Sequence, residues 1–223
     1  MTAPGHTHGA PPAPAKPEVS ATRLIAILGG AGAVAGALIV MAWTMTLPPI
    51  EANRARRLNA AISEVLRQPA RFDTLYVVNG ALQRAPAAGA DPKTAEKVYL
   101  GHGADGAPTG YAIVNGMPGF ADVIQVIFGY DPATKQLLGM KVIESKETPG
   151  LGDRIEKDTA FVGQFGGLAT PLVGVKAGAG KDRPDEVDLI TGATISSRTV
   201  VRIINGALDR LGPVLAKGAP EAP

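Results

Sequence analysis

Asp188-Leu189-Ile190-Thr191-Gly192-Ala193-Thr194 runs directly into Ile195-Ser196-Ser197-Arg198, setting hydroxyl residues around a Gly-Ala pair with an acidic residue six positions before Thr194. A helical pattern follows: Val200 or Val201, Ile204, Leu208 and Leu211 recur at three- and four-residue spacing, which places them on one face. Thr191 and Thr194 therefore fall near a helix N-terminus, where unpaired backbone amides and the helix dipole favour an anion such as a phosphate. Ser, Thr and Asp ahead of an apolar-periodic run also serve as ordinary N-caps, with Gly-Ala as turn filling. Spacing alone leaves both uses open.

A second block begins at Gly129-Tyr130-Asp131-Pro132 and leads through an apolar segment to Glu147-Thr148-Pro149-Gly150-Leu151-Gly152. Asp131-Pro132 predicts a turn, residues 137–143 a buried or half-buried strand, and Pro149-Gly150 a second sharp turn. On physical grounds alone this is a strand-turn-strand scaffold.

Together the two blocks resemble the FMN-binding domain of Rnf- and Nqr-type respiratory complexes. Residues 188–194 look like its Asp-x-x-Ser/Thr-Gly-Ala-Thr motif, and Glu-Thr-Pro-Gly-Leu-Gly looks like a second string of the same family, in the family's order. The resemblance spans residues 24–212 and is weakest over 75–110. It implies that Thr194 is esterified through its hydroxyl to the phosphate of FMN by a dedicated flavin transferase. Asp188, Thr191, Gly192 and Ala193 would form the recognition sequence. Glu147, Thr148, Pro149, Gly150 and Leu151 would belong to the flavin domain as contacts near the cofactor. Ser196, Ser197 and Thr199 are the fallback hydroxyls.

Residues 24–47 carry no charge and are rich in Leu, Ile, Val, Ala and Gly. At a rise of about 1.5 Å per residue they span roughly 36 Å, enough to cross a hydrocarbon core of about 30 Å. Arg23 bounds one side, Pro48-Pro49 is expected to end the helix on the other, and Trp43 suits an interfacial position. A cleaved signal peptide would have a shorter core, about 7–15 residues, nearer the start. Gly32 and Gly36 make a small-residue pair of the kind that lets a second helix approach, although a Gly- and Ala-rich composition yields the same pattern. Lys16 and Arg23 precede the span, and Arg54, Arg56 and Arg57 follow it. Counted alone, these charges turn the C-terminal domain toward the cytoplasm. The resemblance implies the opposite face, the periplasm or its equivalent, at a bacterial inner membrane.

Composition narrows the rest. About 160 of 223 residues follow the anchor, enough for one sizeable core. A net charge of +2 and an aromatic content of 4% fit no nucleic-acid partner. With no Cys, disulfides, Cys-ligated clusters and thiolate nucleophiles are excluded, so any redox role rests on an organic cofactor. Gly180-Lys181 fails as a P-loop because Asp182 replaces the Ser/Thr and Val175 the first Gly. The glycines near Gly30 lie inside the apolar span, and no Gly-x-Ser-x-Gly occurs. His6 and His8 sit in a Pro- and Ala-rich stretch and His102 stands apart, so a metal site is not indicated.

The predicted organisation is a disordered leader over 1–22, a transmembrane helix over 23–47, an FMN-binding domain over 48–212 and a tail over 213–223. Within the domain, helices are expected over 52–67, 153–166 and 194–211, and strands over 110–114, 123–130, 140–145 and 171–176. Residues 83–95 and 177–186 are expected as connectors. The predicted class is α+β, a largely antiparallel sheet with packed helices behind one N-terminal transmembrane helix. Arg54, Arg56 and Arg57 at the membrane end either touch anionic head groups or are simply solvated.

Modest length and the run 147–157 make the chain more similar to the G subunits of Rnf complexes than to the C subunits of Nqr. That implies an electron-transfer subunit of an ion-translocating ferredoxin/NAD oxidoreductase, among other membrane subunits, with no side chain performing bond chemistry. The alternatives are an FMN-binding subunit of an Nqr-type or other reductase, or a structural or sensory module without flavin.

Overall fold

A computed structural model of the chain describes residues 20–179 and 182–220. His6, His8 and the Gly180-Lys181 pair lie outside the described residues. The chain divides into two units, Met1–Ala52 and Asn53–Pro223.

Helix α1 (Ala21–Val65) carries the apolar run, and it is the one helix among the described residues long and apolar enough to cross a membrane. Pro48 and Pro49 do not end it, contrary to the sequence expectation; both lie inside α1, and the helix expected over 52–67 is its last stretch. Each proline removes one amide donor and crowds the carbonyl four residues back. The helix nevertheless continues on both sides of the pair, and the two carbonyls left without an amide are those of Thr44 and Met45. It stops where Arg67 adopts φ 58° and the Gln68 amide reaches the Ser63 carbonyl at 2.7 Å, a Schellman closure, with Pro69 immediately behind.

The second unit is built on a six-stranded antiparallel sheet ordered β2-β1-β3-β4-β5-β6. Its strands are β1 (Arg71–Val78), β2 (Ala81–Gln83), β3 (Lys97–His102), β4 (Pro108–Pro118), β5 (Val123–Asp131) and β6 (Gln136–Glu144). Alternation sends Ile124, Val126, Phe128 and Tyr130 of β5 into the main core and Ile127 to the other face, where Ala61, Ile62 and Val65 of α1 pack. Burial on both faces explains why β5 is nearly continuously apolar.

The main core is closed by α4 (Thr194–Leu215), the short α2 (Arg154–Lys157) and α3 (Thr159–Gly163), and a two-stranded ribbon of β7 (Val173–Lys176) and β8 (Glu186–Leu189). The helix expected over 153–166 is broken at Asp158, whose extended backbone and carboxylate cap the Ala160 and Phe161 amides. The ribbon is parallel. Strands β1 to β3 and β8 were not anticipated by the sequence reading. Helix α4 also runs past 212 through Pro213, because Val214 and Leu215 are buried in the core. The α+β class, with a largely antiparallel sheet behind one apolar helix, is the observed one.

Candidate functional site

Strand β6 delivers the chain into Glu147, and β8 delivers it into the turn that opens α4. Both strand ends meet at one open cleft of about 300 Å³. Glu147, Thr148, Leu151 and Gly152 line it from one side, Gly192 to Ser196 from the other, and Phe120 from the β4–β5 turn. The two sequence blocks are therefore neighbours in space. Larger cavities elsewhere include neither Glu147 nor Thr194.

Glu147 is the organising group. It is 5% exposed, and its Oε1 accepts the backbone amides of Phe120 (2.9 Å), Ala121 (3.0 Å) and Asp122 (3.5 Å). Its Oε2 accepts the Ser196 hydroxyl at 2.6 Å. Burial pushes this carboxyl up, but the Ser196 hydroxyl and the amides of Ala121, Phe120 and Asp122 together outweigh it and hold it below its ordinary value. Gly152 makes room for the carboxylate: a Cβ there would collide with Glu147 and come within 2.9 Å of Ser196 Oγ. Pro149-Gly150 forms the expected turn, with the Leu151 amide on the Thr148 carbonyl at 3.1 Å and Gly150 at φ 78°.

The start of α4 separates the hydroxyls. Thr194 is exposed, and its hydroxyl makes one long contact, 3.4 Å to the Ile190 carbonyl. Ser196 is buried against Glu147. Ser197 is buried between the Ala193 carbonyl and the Ile190 amide, and Thr199 is buried and accepts from Arg202. The N-cap position is Ala193, with no side-chain cap bond, so the ordinary N-cap use of these hydroxyls is not realised. The first turn of α4 therefore has no side-chain capping oxygen at its N-cap, the condition in which helix-terminal amides are left for an anion.

Apolar side chains ring the same opening: Phe120 is 67% exposed, Leu151 53% and Ile195 51%. Few other large apolar side chains of the second unit are so open. Phe120 and Ile195 were not singled out from sequence, because nothing local marks an apolar residue as exposed.

Asp188 and Thr191 go elsewhere. They line a neighbouring cavity of about 360 Å³ with Arg154, Asp158 and Gln164. The Asp188 backbone is held by the Gln164 amide group, while its buried Oδ1 has no hydrogen-bond partner among the described residues. Arg154 donates to the Thr191 carbonyl at 2.9 Å and pairs with Asp158 at 3.2 Å, bracing the turn that leads to Thr194. Gly192, at φ 85°, makes that turn. His102 bonds to Asp73 (3.1 Å) and to the Gly106 carbonyl, and among the described residues no three His, Cys, Asp or Glu side chains form a metal-binding group.

A cofactor of the flavin mononucleotide type fits this donor set in a specific sense. The uncapped amides and exposed hydroxyl suit a phosphate, and the apolar rim suits a planar ring system.

Residues 119–209 match the model of the FMN-binding domain family. The chain is 29% identical over 192 residues to the G subunit of the ion-translocating oxidoreductase complex of Methanosarcina acetivorans, covering 84% of this chain and 93% of that one. It is 30% identical over 180 residues to the G subunit of the Na(+)-translocating ferredoxin:NAD(+) oxidoreductase complex of Acetobacterium woodii, covering 79% and 84%. In fold it is similar to the crystal structure of Shewanella oneidensis NqrC, with a TM-score of 0.57 at 16% identity over 69% of this chain and 91% of that one.

Proposed function

Since the chain belongs to the family of G subunits of ion-translocating oxidoreductase complexes, we propose that it is a membrane-anchored electron-transfer subunit carrying FMN as a phosphoester on Thr194. The observation that carries this reading is the contrast at the start of α4, where Thr194 is exposed while Ser196, Ser197 and Thr199 are buried and engaged. A transferase can reach one of these four hydroxyls without unfolding the helix.

Bound there, FMN would supply the electron-carrying chemistry. The chain's own residues hold and tune it. The amides at the start of α4 would neutralise the phosphate, and Glu147 keeps the loop 120–122 and Ser196 in register beside Thr194. Phe120, Leu151 and Ile195 present an apolar surface beside the attachment point. Forming the ester joins Thr194 Oγ1 to phosphorus. It requires a donor whose phosphate carries a leaving group, such as a flavin dinucleotide, with the nucleoside monophosphate departing and the hydroxyl proton lost to the transferase.

The remaining assignments follow from the same reading. The apolar part of α1 anchors the chain in a bacterial inner membrane, the flavin domain lies on the extracytoplasmic side despite Arg54, Arg56 and Arg57, and the partners are the other membrane subunits. A flavin transferase acts during maturation. A covalent tether suits that side, where lost cofactor would not be replaced.

The test is co-expression with a flavin transferase, followed by in-gel flavin fluorescence, intact mass and peptide mapping. A band with the added mass of one FMN phosphoester on the peptide holding Thr194, absent in Thr194→Val, is expected. A dark, unmodified band with an active transferase would favour a module without flavin, and label surviving in Thr194→Val would move the ester to another hydroxyl.

A further inference from the structure

Arg198 closes the stretch that opens α4, yet it is not among the residues that line the cleft. Its place on the helix is informative. Ile195, Arg198 and Arg202 are exposed, whereas Ser196, Ser197, Thr199, Val200 and Val201 are buried. Thr194, the first residue of α4, is open at the edge of that exposed stripe. Arg198 lies four residues after Thr194 and three after Ile195, hence one turn farther along and between them around the helix. A helical side chain leans toward the helix N-terminus and covers the turn before its own Cα. For Arg198 that turn presents Thr194 and Ile195, and both line the cleft.

The charge balance of the cleft gives this position a use. Glu147 is the one ionisable residue in its lining, and the lining holds no basic side chain. A phosphodiester on Thr194 adds a second negative charge close to that carboxylate. The amides at the uncapped start of α4 offset part of it. A full opposing charge has to come from outside the lining. Most basic side chains on the adjoining segments are engaged: Lys146 with Asp122 at 3.4 Å, Arg154 with Asp158 at 3.2 Å, and Lys157 with Asp153 at 2.6 Å. Arg202 donates to the Thr199 hydroxyl at 2.8 Å. Arg198, by contrast, has no ion pair or side-chain hydrogen bond among the described residues. Its planar guanidinium matches two oxygens of one phosphate, which a point charge does not.

We propose that Arg198 is the phosphate-positioning residue of this chain, pairing through its guanidinium with the phosphodiester on Thr194 and offsetting the charge of Glu147. The inference rests on the flavin reading above and adds to it the side chain that fixes the phosphate. An exposed pair contributes little to folding stability, so the effect of Arg198 falls on the phosphate and not on the fold.

The test uses the full chain in detergent, flavinylated by co-expression with a flavin transferase and followed by phosphorus NMR and intact mass. Wild type, Arg198→Gln, Arg198→Lys and Arg202→Gln are each expected to carry one FMN, since Thr194 is kept. The phosphodiester resonance is expected to shift in Arg198→Gln, to lie between that and wild type in Arg198→Lys, and to stay in place in Arg202→Gln. Raising the salt concentration should move the wild-type resonance toward that of Arg198→Gln, because exposed charges are screened. Unmodified Arg198→Gln should keep the wild-type thermal midpoint, which separates a phosphate contact from a packing role. A wild type without flavin mass would overturn the flavin reading and this inference together. With the wild type flavinylated, three results would overturn this inference alone: a resonance unmoved by Arg198→Gln, an equal shift in Arg202→Gln, or a folded Arg198→Gln chain that takes no flavin.

Discussion

The Ser196 hydroxyl donates to Glu147 Oε2 at 2.6 Å across 49 residues of chain, joining the end of the β6 segment to the first turn of α4. Through this bond the Thr-Pro-Gly turn and the Gly-Ala-Thr turn are brought to the two sides of one cleft. The other carboxylate oxygen gathers three amides of the β4–β5 turn, so a single buried charge sets three backbone segments around Thr194.

Replacing that charge tests its structural weight. In Glu147→Gln the amide group cannot accept from both sides, so at least one donor loses its partner. A destabilisation of about 1–3 kcal/mol is expected, seen as a lower thermal midpoint of the full chain in detergent.

The same residue predicts an acid dependence. Its folded carboxyl titrates below its ordinary value, so its contribution is fully present above the unfolded pKa of about 4.3 and is lost as pH falls through the lower folded value. Thermal midpoints measured from pH 7 downward should fall more steeply in the wild type than in Glu147→Gln below pH ~4.5. Parallel profiles would remove Glu147 from the acid response.

Two nearby glycines should behave differently. Gly152→Ala drives a methyl into the Glu147 side chain and toward Ser196 Oγ, two side chains held in place by their own hydrogen bonds, and it should reduce both stability and flavin attachment. Gly150→Ala meets open space and costs about 1 kcal/mol from its positive φ alone, with attachment retained. Thermal midpoints and intact mass on both variants separate the two effects.

Hydroxyl swaps test the division of labour at the start of α4. Thr194→Ser keeps an exposed hydroxyl and should still take the flavin mass. Ser196→Ala should lose about 1–3 kcal/mol because Glu147 Oε2 is left without its donor, yet keep the modification on Thr194. A folded Ser196→Ala chain without added mass would count against Thr194 as the acceptor.

Arg154 braces the turn at Gly192 through the Thr191 carbonyl rather than through any side chain of residues 188–194. Arg154→Ala should cost only about 0.5–1.5 kcal/mol but slow the initial rate of flavin attachment, as the turn loses its fixed position. An unchanged rate would show that the transferase imposes the geometry itself.

Much of this was readable along the chain. The apolar segments of β4, β5 and β6 declared themselves because they are long and buried, and the α4 face did so through Val200, Ile204 and Leu211. The burial of Ser196 and Ser197 was also legible in principle, since each lies three or four residues before Val200 or Val201 on the same face; the exposure of Thr194 was not, because it lies seven residues before Val201 and is open only as the first residue of α4. Strand β2 has only three residues, and β1 carries a mixed, half-buried pattern, so neither has a strong period. Strand β8 was hidden inside the motif it delivers.

The residue order alone determined the apolar helix, the α+β character, the absence of thiol chemistry and the identity of the hydroxyl at 194, because these depend on composition, local period and covalent spacing. Only the tertiary structure decided that Glu147 joins the two blocks, that Asp188 belongs to a different cavity from Thr194, and that Pro48 and Pro49 are carried within one helix. The physical reason is range. A carboxylate's partners, a side chain's exposure and the tolerance of a proline are set by what the fold brings within a few ångströms, and for Glu147 the nearest of those groups in the chain are more than twenty residues away.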